Sequence, residues 1–343
     1  MKWRSARRRV SAKAGGREEK VSGSVLNLIG GRFRPGANRE NRWVGRQRKR
    51  AVALAACLLI GVGLLVAAFR PAPGVAVLTY HDVGYPEEEY RISPERLVEH
   101  LDTLRQQGYT FLPLETLADF LAGHYPAPSK AVVLTFDDGY ASFYHRVYPI
   151  LRARGLPAAV FIITGDAGKG NRLSWEQMRE MERDARAHIR FYAHAHQGHE
   201  LIDSDGDGAP DARFYAARKW LPDKGRRETA AEYQERLSRD LRAAQAAIRL
   251  HLGHDSPYFA LPGGSWSREL VRVARAEGYR YVFASAQGKR VQSGWYAYRL
   301  PRLDAGSIRP DGRGLTGPEL VEMLARRDLR GNLNRALFGG RLP

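Results

Sequence analysis

The chain has 343 residues, enough for one large domain or two small ones, and 43% of them are hydrophobic, enough to bury a sizeable core. Its formal net charge of +18 suggests a nucleic-acid partner, but residues 1–50 hold 16 Lys and Arg against 3 Glu, leaving only +5 for the rest. This placement excludes a broadly basic folded surface, and the single cysteine, Cys57, excludes a disulfide framework and a thiolate metal site.

Residues 51–69, AVALAACLLIGVGLLVAAF, are uncharged throughout and directly follow Arg46-Gln47-Arg48-Lys49-Arg50. A run of this length predicts a single transmembrane helix. The basic flank predicts an N-terminus inside and a folded domain outside the cytoplasmic (inner) membrane, periplasmic or extracellular. Three other readings compete. Val66-Ala67-Ala68 is a loose cleavage site for a signal peptide. Leu54-Ala55-Ala56-Cys57 resembles a lipoprotein box, although only six apolar residues precede the cysteine. The basic tail could bind DNA, but a membrane next door favours anionic lipid, so no nucleic-acid partner is expected. The expected organisation is a basic tail over 1–50, an anchor over 51–69, a linker over 70–74, one domain over 75–330 and an irregular tail over 331–343.

Within the domain, β-type runs alternate with helical patterns. The runs are VAVLTY (75–80), YTFLP (109–113), AVVLTF (131–136), AAVFII (158–163), HIRFYA (188–193), PYFAL (257–261) and RYVFA (280–284). Amphipathic helices are predicted over 94–107, 141–154, 228–252 and 267–277, and Ser174-Trp175-Glu176-Gln177 is a capping box opening another. Strand–helix alternation of this kind predicts an α/β fold with a parallel sheet, for which closure into a (β/α) barrel is one solution.

The run AVVLTF ends in two adjacent carboxylates, Asp137 and Asp138, followed by Gly139 and Tyr140. A lone Asp there would cap the next helix. Two together are a like-charge pair that needs positive charge nearby. A second cluster, His194-Ala195-His196-Gln197-Gly198-His199, follows another β-type run. One carboxylate with two imidazoles suits zinc with a position left open for water. The spacing leaves open which two His take part: His196 and His199 would share a helical face, and His194 and His199 suit a strand end and its turn. A third group, Thr79-Tyr80-His81-Asp82, ends the first run, and histidine is the side-chain type most often used as a general acid, which makes His81 a candidate.

These motifs, with Leu261-Pro262-Gly263-Gly264, resemble the polysaccharide deacetylases of the NodB-homology type, carbohydrate esterase family 4, over roughly residues 75–305. The early TYHDVG, the His194/His199 spacing and RRETAAEYQER (226–236) resemble the de-N-acetylase domain of poly-N-acetylglucosamine (biofilm) export systems. The resemblance implies a distorted, seven-stranded (β/α) barrel and a hydrolase acting on carbon–nitrogen bonds. It implies Asp137 as catalytic base and His81 as general acid. Asp138, His194 and His199 would hold a divalent metal, Zn2+ or alternatively Co2+ or Ni2+. The Tyr140 N–H would lie near the oxyanion, with Pro262 and Gly263 at the substrate groove. The family often has an Arg before a Pro-Tyr-Gly motif; here Ala260 and Leu261 precede Pro262, and Gly263 stands for the Tyr. That motif therefore supplies neither an evident cation for Asp137 nor the Tyr that would form an aromatic wall. The second domain that some export-system deacetylases carry is not expected.

The expected partners are an N-acetylated polysaccharide, the cytoplasmic membrane and an exopolysaccharide synthesis or export complex. The alternatives are a catalytically weak carbohydrate-binding or assembly subunit and a peptidoglycan deacetylase. Asp203, Asp205, Asp207 and Asp211 alternate like a calcium loop, but Phe214 stands where an EF-hand has its bidentate Glu. Trp175 and Trp266 fit either a sugar groove or the core.

Overall fold

A computed structural model of the chain describes residues 39–69, 74–126, 128, 130–264, 266–284 and 299–325. The expected linker, apart from Gly74, the C-terminal tail and most of the basic tail lie outside the described residues. The strands are β1 (Val75–Tyr80), β2 (Thr110–Phe111), β3 (Ala131–Phe136), β4 (Ala158–Ile163), β5 (Ile189–Ala195), β6 (Tyr258–Ala260), β7 (Tyr281–Ala284), β8 (Leu300–Pro301) and β9 (Leu303–Asp304). They form one parallel sheet in the order β8-β7-β6-β5-β4-β3-β1-β9.

β1, β3 and β4 are buried along their whole length, as in parallel sheets covered on both faces. Side chains alternate between two cores. Val75, Val77, Val133, Phe161, Tyr192 and Phe283 share one apolar cluster inside the sheet. Leu78, Leu134, Val160 and Ile162 face the other way, packing with Leu101, Met178, Leu241 and Leu270 of the surrounding helices. One helix, Thr116–Leu121, packs on the inner cluster through Leu117 and Phe120.

The sheet is a nearly closed barrel, and its strand count corrects the expected seven. Eight strands lie on the path, and β2 is a branch pairing with the start of β3 at Thr110↔Ala131 and Phe111↔Val132. The run read as the second barrel strand is thus off the path. The physical reason for the extra count lies in residues 300–304. Leu300 and Pro301 pair with β7, then Leu303 and Asp304 pair with β1, and Arg302 between them pairs with neither. One short segment changes neighbours and so counts twice.

The predicted helices form. They are Pro94–Gln106, Trp175–Arg183, Ala230–Leu252 (labelled α1 below) and Arg268–Ala276. Ser174 makes the expected capping box with Gln177, and Thr229 makes another with Glu232 at the start of α1. The helix predicted over 141–154 is split: Phe143–Val147 is a π-turn and Tyr148–Arg154 is α-helical. Pro149 lacks the N–H that an unbroken α-ladder needs there. Trp175 sides with the core, stacking on His251 at 4.4 Å.

The expected transmembrane helix is not found among the described residues. A helix does run from Arg39 to Phe69. Yet among the described residues no helix is long and apolar enough to cross a membrane. Val52, Leu54, Leu58, Leu59, Ile60 and Val62 are exposed.

Replacing the cap with Thr229→Ala should lower stability by about 1 kcal/mol, read as a shifted denaturant midpoint, and Thr229→Ser should recover most of the loss.

Candidate active site

The register of β1 and β3 builds the first half of the site. Tyr80 pairs with Phe136, so the next residues, His81 and Asp137, emerge side by side. The Asp137 N–H donates to the Tyr80 carbonyl at 2.9 Å. Asp137 keeps the inward parity of Val133 and Thr135 and is 3% exposed. Its two carboxylate oxygens accept from Arg302 Nη1 and Nη2, both at 2.6 Å. Arg302 is equally buried, and its guanidinium lies over the Phe161 ring. Burial alone pushes the Asp137 carboxyl up. Arg302 above all, with His194 and His81, outweighs burial and holds it below the usual carboxylate range. The carboxylate is therefore charged, paired and pre-aimed.

Asp138 turns the other way. Its φ is +71°, the one positive value at a non-glycine residue among the described residues, and Gly139 follows at +70°. Such a conformation is costly outside glycine and is retained where the surroundings impose it. A Cβ on Gly139 would sit 2.9 Å from Ile162 Cγ2, so the turn needs glycine twice over. Arg172 ties the turn down by donating to the Asp138 carbonyl at 3.1 Å, and its guanidinium stacks 4.2 Å from the centre of the Tyr140 ring.

β5 supplies the imidazoles through a bulge. Ile162 of β4 pairs with Ala193 and Ile163 pairs with Ala195, which leaves His194 as an extra residue between them. The His194 Nδ1–H donates to the Ala260 carbonyl at 2.8 Å, so the lone pair of Nε2 is left free to ligate. His194 Nε2 and His199 Nε2 each lie 3.3 Å from Asp138 Oδ1. That oxygen is buried and makes no hydrogen bond. Three donor atoms thus converge within 4.8 Å of one another. Burial alone would raise the Asp138 carboxyl, but the two imidazoles hold it well below its usual range. A carboxylate oxygen without a partner, two converging imidazoles and a carbonyl fixing one tautomer fit a divalent metal of the zinc type. His199 is a third exposed, leaving one side open to solvent. His196 is not part of the group: its Nδ1 lies 3.0 Å from Thr164 Oγ1. The pair left open by spacing resolves to His194 and His199.

His81 packs its ring on Tyr90 with centroids 5.1 Å apart, and its Nδ1 is buried without a hydrogen bond. Tyr140 bridges to Arg172 through the amides of Ala141 and Leu173, so the bridge does not use the Tyr140 N–H. A cavity of about 390 Å³ opens beside Asp82 and Ala141, lined also by Tyr85, Arg91, Arg146 and Asn171.

Pro262 and Gly263 lie in a 3-10 turn after β6, and Gly263 has φ +59°. A Cβ there would lie 2.7 Å from Arg213 Cζ. Arg213 thus occupies the space beside the residue where the related motif has Tyr. Arg213 and Arg302 are residues beside the site that the sequence reading missed. Leu300-Pro301-Arg302-Leu303-Asp304 is short and only its last three residues alternate, and its proline argues against a strand.

The acidic loop is a smaller group than expected. Asp203, Asp205 and Asp211 come together, but Asp207 does not. Asp207 accepts from the Ala209 N–H within its own turn. Asp203 and Asp211 likewise accept from amides of the loop, which accounts for these carboxylates without an ion.

Residues 124–282 match the family model described as polysaccharide deacetylase. The match includes Asp137, Asp138, His194 and His199 but neither His81 nor Arg302. The poly-beta-1,6-N-acetyl-D-glucosamine N-deacetylase of Escherichia coli K12 is 31% identical over 237 residues, covering 64% of this chain and 35% of that relative. The chain therefore spans about a third of that relative's length. Among solved structures, a de-N-acetylase from Aggregatibacter actinomycetemcomitans shares the fold, with a TM-score of 0.64 at 24% identity, covering 73% of this chain and 99% of that one. IcaB from Ammonifex degensii superposes with a TM-score of 0.60 at 28% identity, covering 74% and 98%.

Arg302→Met should destabilise the protein by about 3–5 kcal/mol, because it leaves a buried carboxylate unpaired. A loss under about 1 kcal/mol in chemical denaturation would show that Asp137 finds another partner.

Proposed function

We propose that this protein is a metal-dependent N-deacetylase of an N-acetylated hexosamine polymer, of the poly-β-1,6-N-acetylglucosamine type. One observation carries the reading: a buried, ionised Asp137 lies next to the Asp138–His194–His199 donor set, with His81 beside it across the strand register. A divalent metal held by those three residues would act as a Lewis acid toward the acetyl carbonyl and the attacking water. Asp137 takes a proton from the water, and Arg302 fixes the direction from which it does so. The water oxygen bonds to the acetyl carbon and the C–N bond breaks. His81 gives the proton that lets the sugar amine leave. The Tyr140 N–H, which its strand bridge leaves unused, is the donor assigned to the developing oxyanion in this reading. Acetate and a free amino sugar result.

Similarity to poly-beta-1,6-N-acetyl-D-glucosamine N-deacetylases supports the substrate class. Arg302 also bears on the alternative of a catalytically weak subunit. That reading rested on a missing cation at the Pro-Gly motif, and Arg302 supplies the cation from another segment.

The full chain should release acetate from β-1,6-linked N-acetylglucosamine oligomers and do so poorly from peptidoglycan fragments. Chelation should abolish release, and Asp137→Asn should lower the rate by about 10²–10⁴-fold, the range for loss of a general base. Release that survives chelation, or no release from any N-acetylated oligomer, would overturn the reading.

We also propose that the folded domain works outside the cytoplasmic membrane, where an exported polymer is accessible, as part of an exopolysaccharide synthesis or export complex. The exposed apolar side chains between Val52 and Val62, next to Arg48, Lys49 and Arg50, support contact with an anionic membrane. In cell fractionation the chain should sediment with membranes, and protease added to spheroplasts should digest the domain. A domain protected until lysis would refute this placement.

A further inference from the structure

The turn between the two imidazoles is anchored by a residue outside the donor set. Asp240 projects from α1 and is 7% exposed. Its Oδ2 accepts from the His196 N–H at 2.9 Å and its Oδ1 from the Gln197 N–H at 2.7 Å. The Tyr215 hydroxyl donates to the same carboxylate. These two amides leave the sheet where β5 ends, so no strand can take them up. On the opposite side, the His196 carbonyl accepts from the Gly165 N–H at 2.9 Å.

The turn has no slack within this grip. A Cβ on Gly198 would sit 2.7 Å from Phe214 Cδ1 and 2.8 Å from Tyr215 Cζ. Phe214 and Tyr215 are themselves tied to α1. The Tyr233 hydroxyl donates to the Tyr215 carbonyl at 2.6 Å, and Arg236 Nη1 donates to the Phe214 carbonyl at 2.8 Å. His194 is held by its strand and by Ala260. His199 is a third exposed and reaches Asp138 only through residues 195–198.

We propose that Asp240 is a positioning residue for the metal site: by fixing the amides of His196 and Gln197 it sets where the His199 imidazole meets Asp138 and His194. The inference rests on the metal-site reading above. It also gives the segment around Tyr215 a task, since that segment forms the floor under the turn.

Asp240→Asn tests it with little change of shape. The amide offers one acceptor where the carboxylate offers two, and its NH2 meets a backbone N–H. Co2+ titrated into the metal-free full-length variant should bind about 10-fold more weakly than to the unaltered protein, the low end of the range for losing a partner bonded directly to a ligand, because Asp240 acts through the turn. The visible Co2+ spectrum should change shape as well. Thr229→Ala, at the far end of the same helix, is the control for general destabilisation. It should lower the melting temperature and leave Co2+ affinity and spectrum unchanged. Tyr215→Phe carries the test should Asp240→Asn not fold, with an expected several-fold weakening. Co2+ affinity within twofold of the unaltered protein in Asp240→Asn, or in Tyr215→Phe if only that variant folds, would overturn the proposal alone. Equal weakening in Thr229→Ala would do the same. No Co2+ binding by the unaltered protein would overturn the metal-site reading and this proposal together.

Discussion

The buried pair between Arg302 and Asp137 joins two features that are usually separate. Arg302 sits where one segment changes neighbours to bring the two edges of the sheet together, and Asp137 is the residue on which the proposed chemistry begins. A guanidinium buried this deeply needs a bidentate anion, and a carboxylate buried this deeply needs a cation. Each satisfies the other, so the barrel's seam and the orientation of the aspartate are set by one interaction. The apolar interior around Phe161 then becomes tolerable to both charges.

The same logic accounts for two adjacent aspartates at one strand end. Side-by-side carboxylates pointing the same way would repel each other in a poorly solvated site. The chain separates them by backbone geometry. Asp137 continues the inward parity of β3, and Asp138 adopts a left-handed conformation that sends its side chain to the imidazoles. Gly139 is required because Ile162 closes over the turn. The strained residue, the glycine and the two opposite partners form one local solution to a charge problem.

Much of this was legible in the sequence. The apolar runs of β1, β3 and β4 ended at the residues read, because strands buried on both faces have little freedom in composition. Asp138, His194 and His199 came together as expected, and the capping box at Ser174 formed. What escaped reading depended on pairing across the chain. Arg302 is 165 positions from Asp137, in a segment too short and too proline-broken to announce a strand. Arg213 lies beside Gly263 only because the segment after His199 folds back over the Pro-Gly turn. Spacing could not choose between His196 and His194, because the choice was made by a bulge, and a bulge has no signature in residue type. The YTFLP run was a genuine strand but a branch, since composition does not reveal which edge of β3 is already taken.

That bulge has a wider consequence. One extra residue in β5 puts the chain beyond it out of step with β4. Deleting one residue there would restore a regular ladder and improve the pairing of two central strands. It would also rotate the inward and outward faces of the strand end by half a turn, moving the imidazole of His194 away from Asp138. The locally best-paired sheet and the sheet that can gather these three donors are different molecules. A search of sequence variants guided by folding stability alone would drift toward the first, and the irregularity persists in this chain as a point of built-in frustration that selection for the fold by itself would remove.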